Sequence, residues 1–304
     1  MREHPWGDRG TVIKGSIAAW WACFPRARCA NVREWDGTGG ETRAAPLVNA
    51  DFVHFEGLRE LRLKGCRGIT DAAFVHLRGI HTLDMGHCYQ AGITDAAFAH
   101  LRGIHTLDMS YCNQASITDA AFAHLRGIHT LNMSYCSQTG ITDAAFAHLR
   151  GIHELIMLMC NQEGITDIAF VHLRGIHFLD MSGCDQDGIT DAAFAHLTGI
   201  GALCMSSCRQ AGITDAAFSH LRGISMLLIN GCSQAGITDA AFEHLRGIHV
   251  LFMKNCRQVG ITEEAFAHLA GIGQLNMEGC SPACISAARA LKLPVTEDLA
   301  FDCV

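Results

Sequence analysis

Two residue types recur in this chain at spacings that invite chemistry. Ten cysteines stand at positions 66, 88, 112, 136, 160, 184, 208, 232, 256 and 280, with a first gap of 22 residues and then eight gaps of 24. Histidines keep the same step: His76, His100, His124, His148, His172, His196, His220, His244 and His268, with His54 earlier. A second set, His81, His105, His129, His153, His177 and His249, lies at another point of the period. Columns of thiols and imidazoles are the donors of a transition-metal or redox array. The competing reading is a ladder of buried thiols bonded to loop carbonyls, since free cysteine is among the most buried residue types. Imidazoles near helix C-termini are favoured by the helix dipole, as an Asp column (Asp71 through Asp239) is at the N-termini. No CxxC pair of zinc type occurs, so the ladder reading is preferred and no cofactor or metal site is expected. GxSxG, a phosphate-binding glycine loop and HExxH are absent. Asp and His occur in every repeat and none is singled out, so no catalytic residue is expected.

A fixed period of this length implies a solenoid whatever the length of the chain. One unit reads IHTLDMSYCNQASITDAAFAHLRG, from Ile104 to Gly127. Leu107 and Met109 flank Asp108 at period two, which predicts a short strand. Ile117, Ala121, Phe122 and Leu125 follow Thr118 and Asp119, which predicts a short helix capped by one of those two side chains. Gly127 is expected to end it in a left-handed turn. No such coil closes a core alone. The predicted fold is an α/β solenoid of about ten 24-residue coils, with a parallel sheet on the concave side and short helices on the convex side.

Composition bounds the rest. The 304 residues are 49% hydrophobic but only 7% aromatic, with Gly 31, His 18, Cys 15 and Pro 5. That apolar content buries a core and excludes a disordered chain. No apolar run approaches the roughly 18 residues that cross a bilayer, so no membrane span is expected. A net charge of −7 argues against general nucleic-acid binding. The opening MREHPWGDRG lacks an apolar h-region, and an odd number of cysteines without such a signal predicts a reducing compartment, cytoplasmic or nuclear. Residues 1–46 read as an N-terminal cap or degenerate first segment, with SIAAWWACF (16–24) as a helix and Phe24–Cys29 as a degenerate coil. Residues 47–280 read as the solenoid, and 281–304 as a C-terminal cap whose tail VTEDLAFDCV folds over the last coil.

The repeat resembles the cysteine-containing class of leucine-rich repeats, LxxLxLxxC followed by ITDxxLxxL. Ile104, Leu107, Met109 and Cys112, then Ile117, Thr118, Asp119, Phe122 and Leu125, carry the match, and Cys66-Arg67-Gly68-Ile69-Thr70-Asp71 keeps the class's own spacing. Such uniform tandem repeats are also similar to those of large DNA viruses. The resemblance implies a protein-interaction module. Many of that class carry an F-box and act as substrate receptors of cullin-type ubiquitin ligases, which implies a ubiquitin-ligase adaptor as a possible second partner. Residues 1–46 show no LPxE-type opening, and only Trp20-Trp21…Phe24-Pro25 is similar to the end of an F-box. A self-assembling structural protein, virion-associated for example, is the alternative.

The residues that break the repetition are the informative ones. Strand positions flanking the inward Leu and Met are polar and alike in coils three and four: Thr106, Asp108, Ser110, Tyr111, then Thr130, Asn132, Ser134, Tyr135. From coil five they change to Glu154, Ile156, Leu158 and Met159, then Phe178 and Asp180, Ala202 and Cys204, Met226, Leu228 and Asn230, and Val250, Phe252 and Lys254. Apolar side chains on neighbouring strands make a patch of the kind that binds partners. A protein partner on the concave face is therefore expected at Glu154, Ile156, Leu158, Met159, Phe178, Asp180, Met226, Leu228, Phe252 and Lys254, with drift in redundant repeats or cover by the C-terminal tail as the competing accounts of the same residues.

Overall fold

The computed structural model describes residue 13, residues 16–32 and residues 46–296. The chain divides into two compact units, 1–149 and 150–304. The first holds strands β1 (Cys29–Asn31), β2 (Glu60–Arg62), β3 (Thr82–Asp84), β4 (Thr106–Asp108) and β5 (Thr130–Asn132). The second holds β6 (Glu154–Ile156), β7 (Phe178–Asp180), β8 (Ala202–Cys204), β9 (Met226–Leu228), β10 (Val250–Phe252), β11 (Gln274–Asn276) and β12 (Val295–Thr296).

Within each unit every strand pairs in parallel with the next in sequence. Leu61, Leu83, Leu107 and Leu131 stand in register in the first unit. Leu155, Leu179, Leu203, Leu227, Leu251 and Leu275 do so in the second. The sheet thus has the period of the sequence, because each inward leucine must meet its copy in the next coil to bury a continuous core. That core is a set of columns. Leu107, Met109, Cys112, Ile117, Ala121, Phe122, Leu125 and Ile128 are all buried, and the same positions are buried in the repeats of the second unit.

The helices are shorter than the sequence suggests. In the repeat used above the helix is the single turn Asp119–Phe122, and Leu125 lies beyond it. The chain leaves the α pitch because the next amides bond three residues back: His124 N–H donates to Ala121 and Leu125 N–H to Phe122. Gly127 does adopt the left-handed conformation, at φ 82°, but in the turn into the next strand and not at the helix end. Of the two candidate caps it is the threonine that serves, Thr118 Oγ1 accepting from Ala120 N–H.

The aspartate beside it has a different task. Asp95 accepts from both the amide and the hydroxyl of Thr118, each at 2.7 Å, so it bonds one repeat to the next. The same bidentate contact joins Asp71 to Thr94 and Asp119 to Thr142. In the second unit it joins Asp167 to Thr190, Asp191 to Thr214, Asp215 to Thr238 and Asp239 to Thr262.

At the ends, Ile17–Cys23 forms a helix capped by Ser16, with Ile17 buried and Trp20, Trp21 and Phe24 half-buried beside one another. The helix Pro282–Ala290 closes the second unit, capped by Ser281 and burying Cys284 and Ala288. Most of the expected N-terminal cap (1–12, 14–15 and 33–45) and the tail beyond Thr296 lie outside the described residues. Among the described residues no helix is long and apolar enough to cross a membrane.

Candidate interaction surface on the strand face

The middle residue of each three-residue strand points into the core, so the first and third point away from it. In β3 to β5 these outward positions are polar and half-buried: Thr82 and Asp84, Thr106 and Asp108, Thr130 and Asn132. Asp108 accepts from Ser110 N–H at 2.8 Å and from the Asn132 amide at 3.2 Å. Burial, with Asp108 as a second negative neighbour, holds the Asp84 carboxyl above its ordinary range. Just before each strand the imidazoles of His81, His105 and His129 stack at 4.6 and 4.5 Å. Just after it His87, Tyr111 and Tyr135 stack at 4.1 and 4.3 Å.

The second unit is different, and all ten expected site residues lie in it. Glu154, Ile156 and Leu158 are half-buried, and Met159 is exposed on the following turn with its side chain over Gly183. Phe178 and Met226 are half-buried and pack, with Val250, against Cys204, Leu228 and Phe252. The structure corrects the expectation that the whole row is open. Leu228 is 3% exposed, Phe252 1% and Asp180 1%, although all three point away from the core. Lys254 is half-buried and ion-paired with Glu278 at 2.9 Å. The accessible part of the expected site is thus Glu154 through Phe178 with Met226 and Lys254, and the third strand position is covered from Asp180 of β7 onward.

Asp180 shows what that burial costs. Its carboxylate accepts from Ser182 N–H at 2.9 Å, and desolvation raises its pKa above the ordinary 3.8 despite that bond. A carboxyl held high is stabilising only where it is protonated: that contribution is complete below the ordinary value and lost as pH rises through the raised one. Asn132 accepts the equivalent turn amide without a charge. Asp180→Asn is therefore expected to stabilise the protein at pH 7 by on the order of 1 kcal/mol, and urea denaturation should show the gain shrinking as pH falls towards 4. Destabilisation at pH 7 would contradict this account.

The cysteine ladder takes the buried-thiol form. Cys112, Cys184, Cys208 and Cys232 donate to the carbonyls of Met85, Met157, Met181 and Met205 at 3.1–3.2 Å. Burial pushes Cys136, Cys184 and Cys232 up to about 12 and Cys280 to about 11, so these thiols stay protonated and unreactive. The helix-side histidines have side-chain partners. Most accept at Nδ1 from an arginine of the preceding repeat, as His124 does from Arg102 and His196 from Arg174, both at 3.3 Å, whereas His76 meets Glu56 at 2.7 Å and Thr198 stands where His220 would find its arginine. Among the described residues no group of three or more His, Cys, Asp or Glu is placed to hold a metal ion. One column escaped the sequence reading, the glutamine two residues after the cysteine. Gln186 and Gln210 are buried and donate to the carbonyls of Cys160 and Cys184 at 2.6 Å. Its signal was present as a repeated Gln, but a polar residue at that point gives no hint that it faces inward.

Cys204, at the outward third position of β8, stands outside the ladder and is disulfide-bonded, whereas the thirteen other described cysteines carry no disulfide.

No family model and no curated protein matches the sequence. Solved structures do match in shape. An internalin (inlF) from Listeria monocytogenes superposes with a TM-score of 0.55 at 18% identity, covering 94% of this chain and 94% of that one. TLR13, solved as a complex with ssRNA13, gives 0.61 at 19% identity over 83% of this chain and 40% of its own. Toll from Drosophila, solved as a complex with Spatzle, gives 0.56 at 14% over 83% and 39%. The chain thus spans about two fifths of the length of the TLR13 and Toll chains. At these identities the likeness concerns architecture, and it agrees with the parallel strands, short helices and 24-residue register of each unit: the chain has the leucine-rich-repeat solenoid fold.

Proposed function

We propose that the chain is a non-enzymatic binding module that takes a protein partner on the strand face of its second unit. The observation that carries this is the break in repetition: outward positions that are Thr, Asp and Asn in β3 to β5 become Ile156, Phe178, Met226 and Val250 in the second unit, while inward positions hardly change. Redundant core columns with a varied outer row fit a surface shaped for a ligand. Structures of this fold occur in complexes, Toll with Spatzle and FLRT2 with Latrophilin 3 and Unc5D. TLR13 occurs with RNA, but a net charge of −7 and the Asp84–Asp108 column suit a protein better than a phosphate backbone. The finer reading is a substrate receptor of a ubiquitin ligase in the cytoplasm or nucleus, with residues 1–46 meeting the adaptor.

The test is affinity capture from host-cell lysate under reducing conditions, comparing the natural chain with an Ile156→Ser, Leu158→Ser, Phe178→Ser triple variant of matched circular dichroism. A partner whose recovery falls by about tenfold or more in the variant is expected, the loss typical of central apolar contacts. Co-recovery of a ligase adaptor by both proteins would support the receptor role. Equal recovery of everything, or of further copies of the chain alone, would remove this surface as the binding site and favour self-assembly.

A further inference from the structure

The first unit carries a row of cations on the turns that follow its short helices. Arg78, Arg102 and Arg126 are exposed, each just before a glycine in the left-handed conformation, Gly79, Gly103 and Gly127. Each gives its Nε–H to a half-buried imidazole of the next repeat: Arg78 to His100 Nδ1 at 3.4 Å, Arg102 to His124 and Arg126 to His148 at 3.3 Å. A guanidinium held by Nε keeps the four N–H donors of its two Nη groups for other partners. An imidazole that accepts at Nδ1 carries its proton on Nε2 and is a further donor. Each coil of the row thus offers donors and no acceptor. Among the described residues none of the three arginines is ion-paired with a carboxylate.

The row begins where its chemistry inverts. Glu56 takes the arginine position in the preceding coil, ahead of Gly57, and its carboxylate meets His76 Nδ1 at 2.7 Å. The imidazole column therefore already holds a carboxylate where the guanidinium is missing. Val75 is 39% exposed beside it, in a depression lined also by Glu56, Gly57, His76 and Arg78. In the second unit the same row is broken by Thr198 and ends at Ala270, leaving the pairs Arg150 and Arg174, then Arg222 and Arg246. Three arginines in consecutive coils of one unit belong to the first.

We propose that this row binds an acidic peptide segment of a protein partner, with carboxylates on Arg78, Arg102 and Arg126 and an apolar side chain over Val75 at the Glu56 end. The paired Nη groups of a guanidinium take a carboxylate bidentately, and the carboxylate keeps a lone pair for the imidazole Nε2–H. The histidines fix the guanidiniums in advance, so less side-chain freedom is lost on binding. A net charge of −7 repels a dense field of negative charge such as heparin, a nucleic acid or an anionic membrane. A segment with few charges meets the local row instead. The row is independent of the strand-face reading above.

The test is fluorescence anisotropy of the full chain with a fluorescein-labelled peptide of one leucine followed by six glutamates. Saturable binding that weakens as salt is raised is expected. Arg78→Gln, Arg102→Gln and Arg126→Gln together should weaken it about tenfold or more, with unchanged circular dichroism. Arg174→Gln, Arg222→Gln and Arg246→Gln together remove the same charge from the second unit and should leave the affinity within about twofold. His124→Ala keeps every arginine but releases the Arg102 side chain, and should weaken binding about threefold. Equal loss in the two triple variants would mean that net charge alone attracts the peptide. An unchanged affinity in His124→Ala would mean that the guanidiniums are not held ready. Tighter binding of the natural chain to heparin or to phosphatidylserine vesicles than to the peptide would assign the row to another ligand. Any of these outcomes, or the absence of saturable binding, overturns the proposal.

Discussion

Replacing Phe194 by Ala is expected to lower the free energy of unfolding by about 3–5 kcal/mol, the usual cost of emptying a buried phenyl site. Phe194 is 0% exposed, and so are Phe170 and Phe218 at the same position of the neighbouring repeats. The coils can close on the void only by breaking the strand register that Leu179, Leu203 and Leu227 share. Relaxation is thus restricted, and the upper half of the range is the expected outcome. Phe194→Leu should cost a fraction of it, because most of the volume remains. Equilibrium denaturation in urea reads both. A loss below about 1.5 kcal/mol for Phe194→Ala would mean that the phenyl column is not the core of the second unit.

The second large effect belongs to a polar group. Asp191 accepts from Thr214 N–H at 2.7 Å, from the Thr214 hydroxyl at 2.6 Å and from Ala217 N–H at 3.2 Å. Asp191→Ala leaves those donors without their acceptor, and hydrogen bonds to a charged group contribute about 1.5–3 kcal/mol each. A net loss of about 2–4 kcal/mol is expected, less than the sum because water reaches part of the site. Asp191→Asn keeps one acceptor oxygen and should lose about half as much. A double-mutant cycle with Thr214→Val isolates the contact, and its coupling should exceed about 1 kcal/mol. Effects of the two single changes that simply add would remove the staple from the account of how repeats hold together.

These cases mark where the sequence was legible. The phenylalanine column, the strand at Thr106–Asp108 and the threonine cap all follow from local pattern and the period, since each coil must present the same face to the next. The staple did not follow. Asp191 and Thr214 are 23 residues apart, and the aspartate looks like any acidic residue at a helix start. Its partner is visible only once the rise from coil to coil is known. Helix length was over-read because Phe122 and Leu125 fit both an α-helix and a tighter turn at the same spacing. The candidate surface was legible as a change of residue type. Its accessibility was not, because alternation in a strand tells which side a residue faces and nothing about what lies on that side.

The staples also give the stack a sense, since each aspartate reaches only towards the following threonine. Asn49 takes the aspartate's place at the start, bonding Thr70 through both its amide oxygen and nitrogen. At the far end Glu263 stands where the earlier repeats have aspartate. Within each unit one junction is chemically the same as the next. Excision of residues 118–141 would bring Asp95 to Thr142 at the spacing it now has to Thr118, and duplication of the same stretch would add one more identical junction. Unequal recombination within such a gene can thus lengthen or shorten the protein in whole coils while every bond at the splice is restored, which makes the number of repeats a quantity that evolution can adjust without first inventing a new contact.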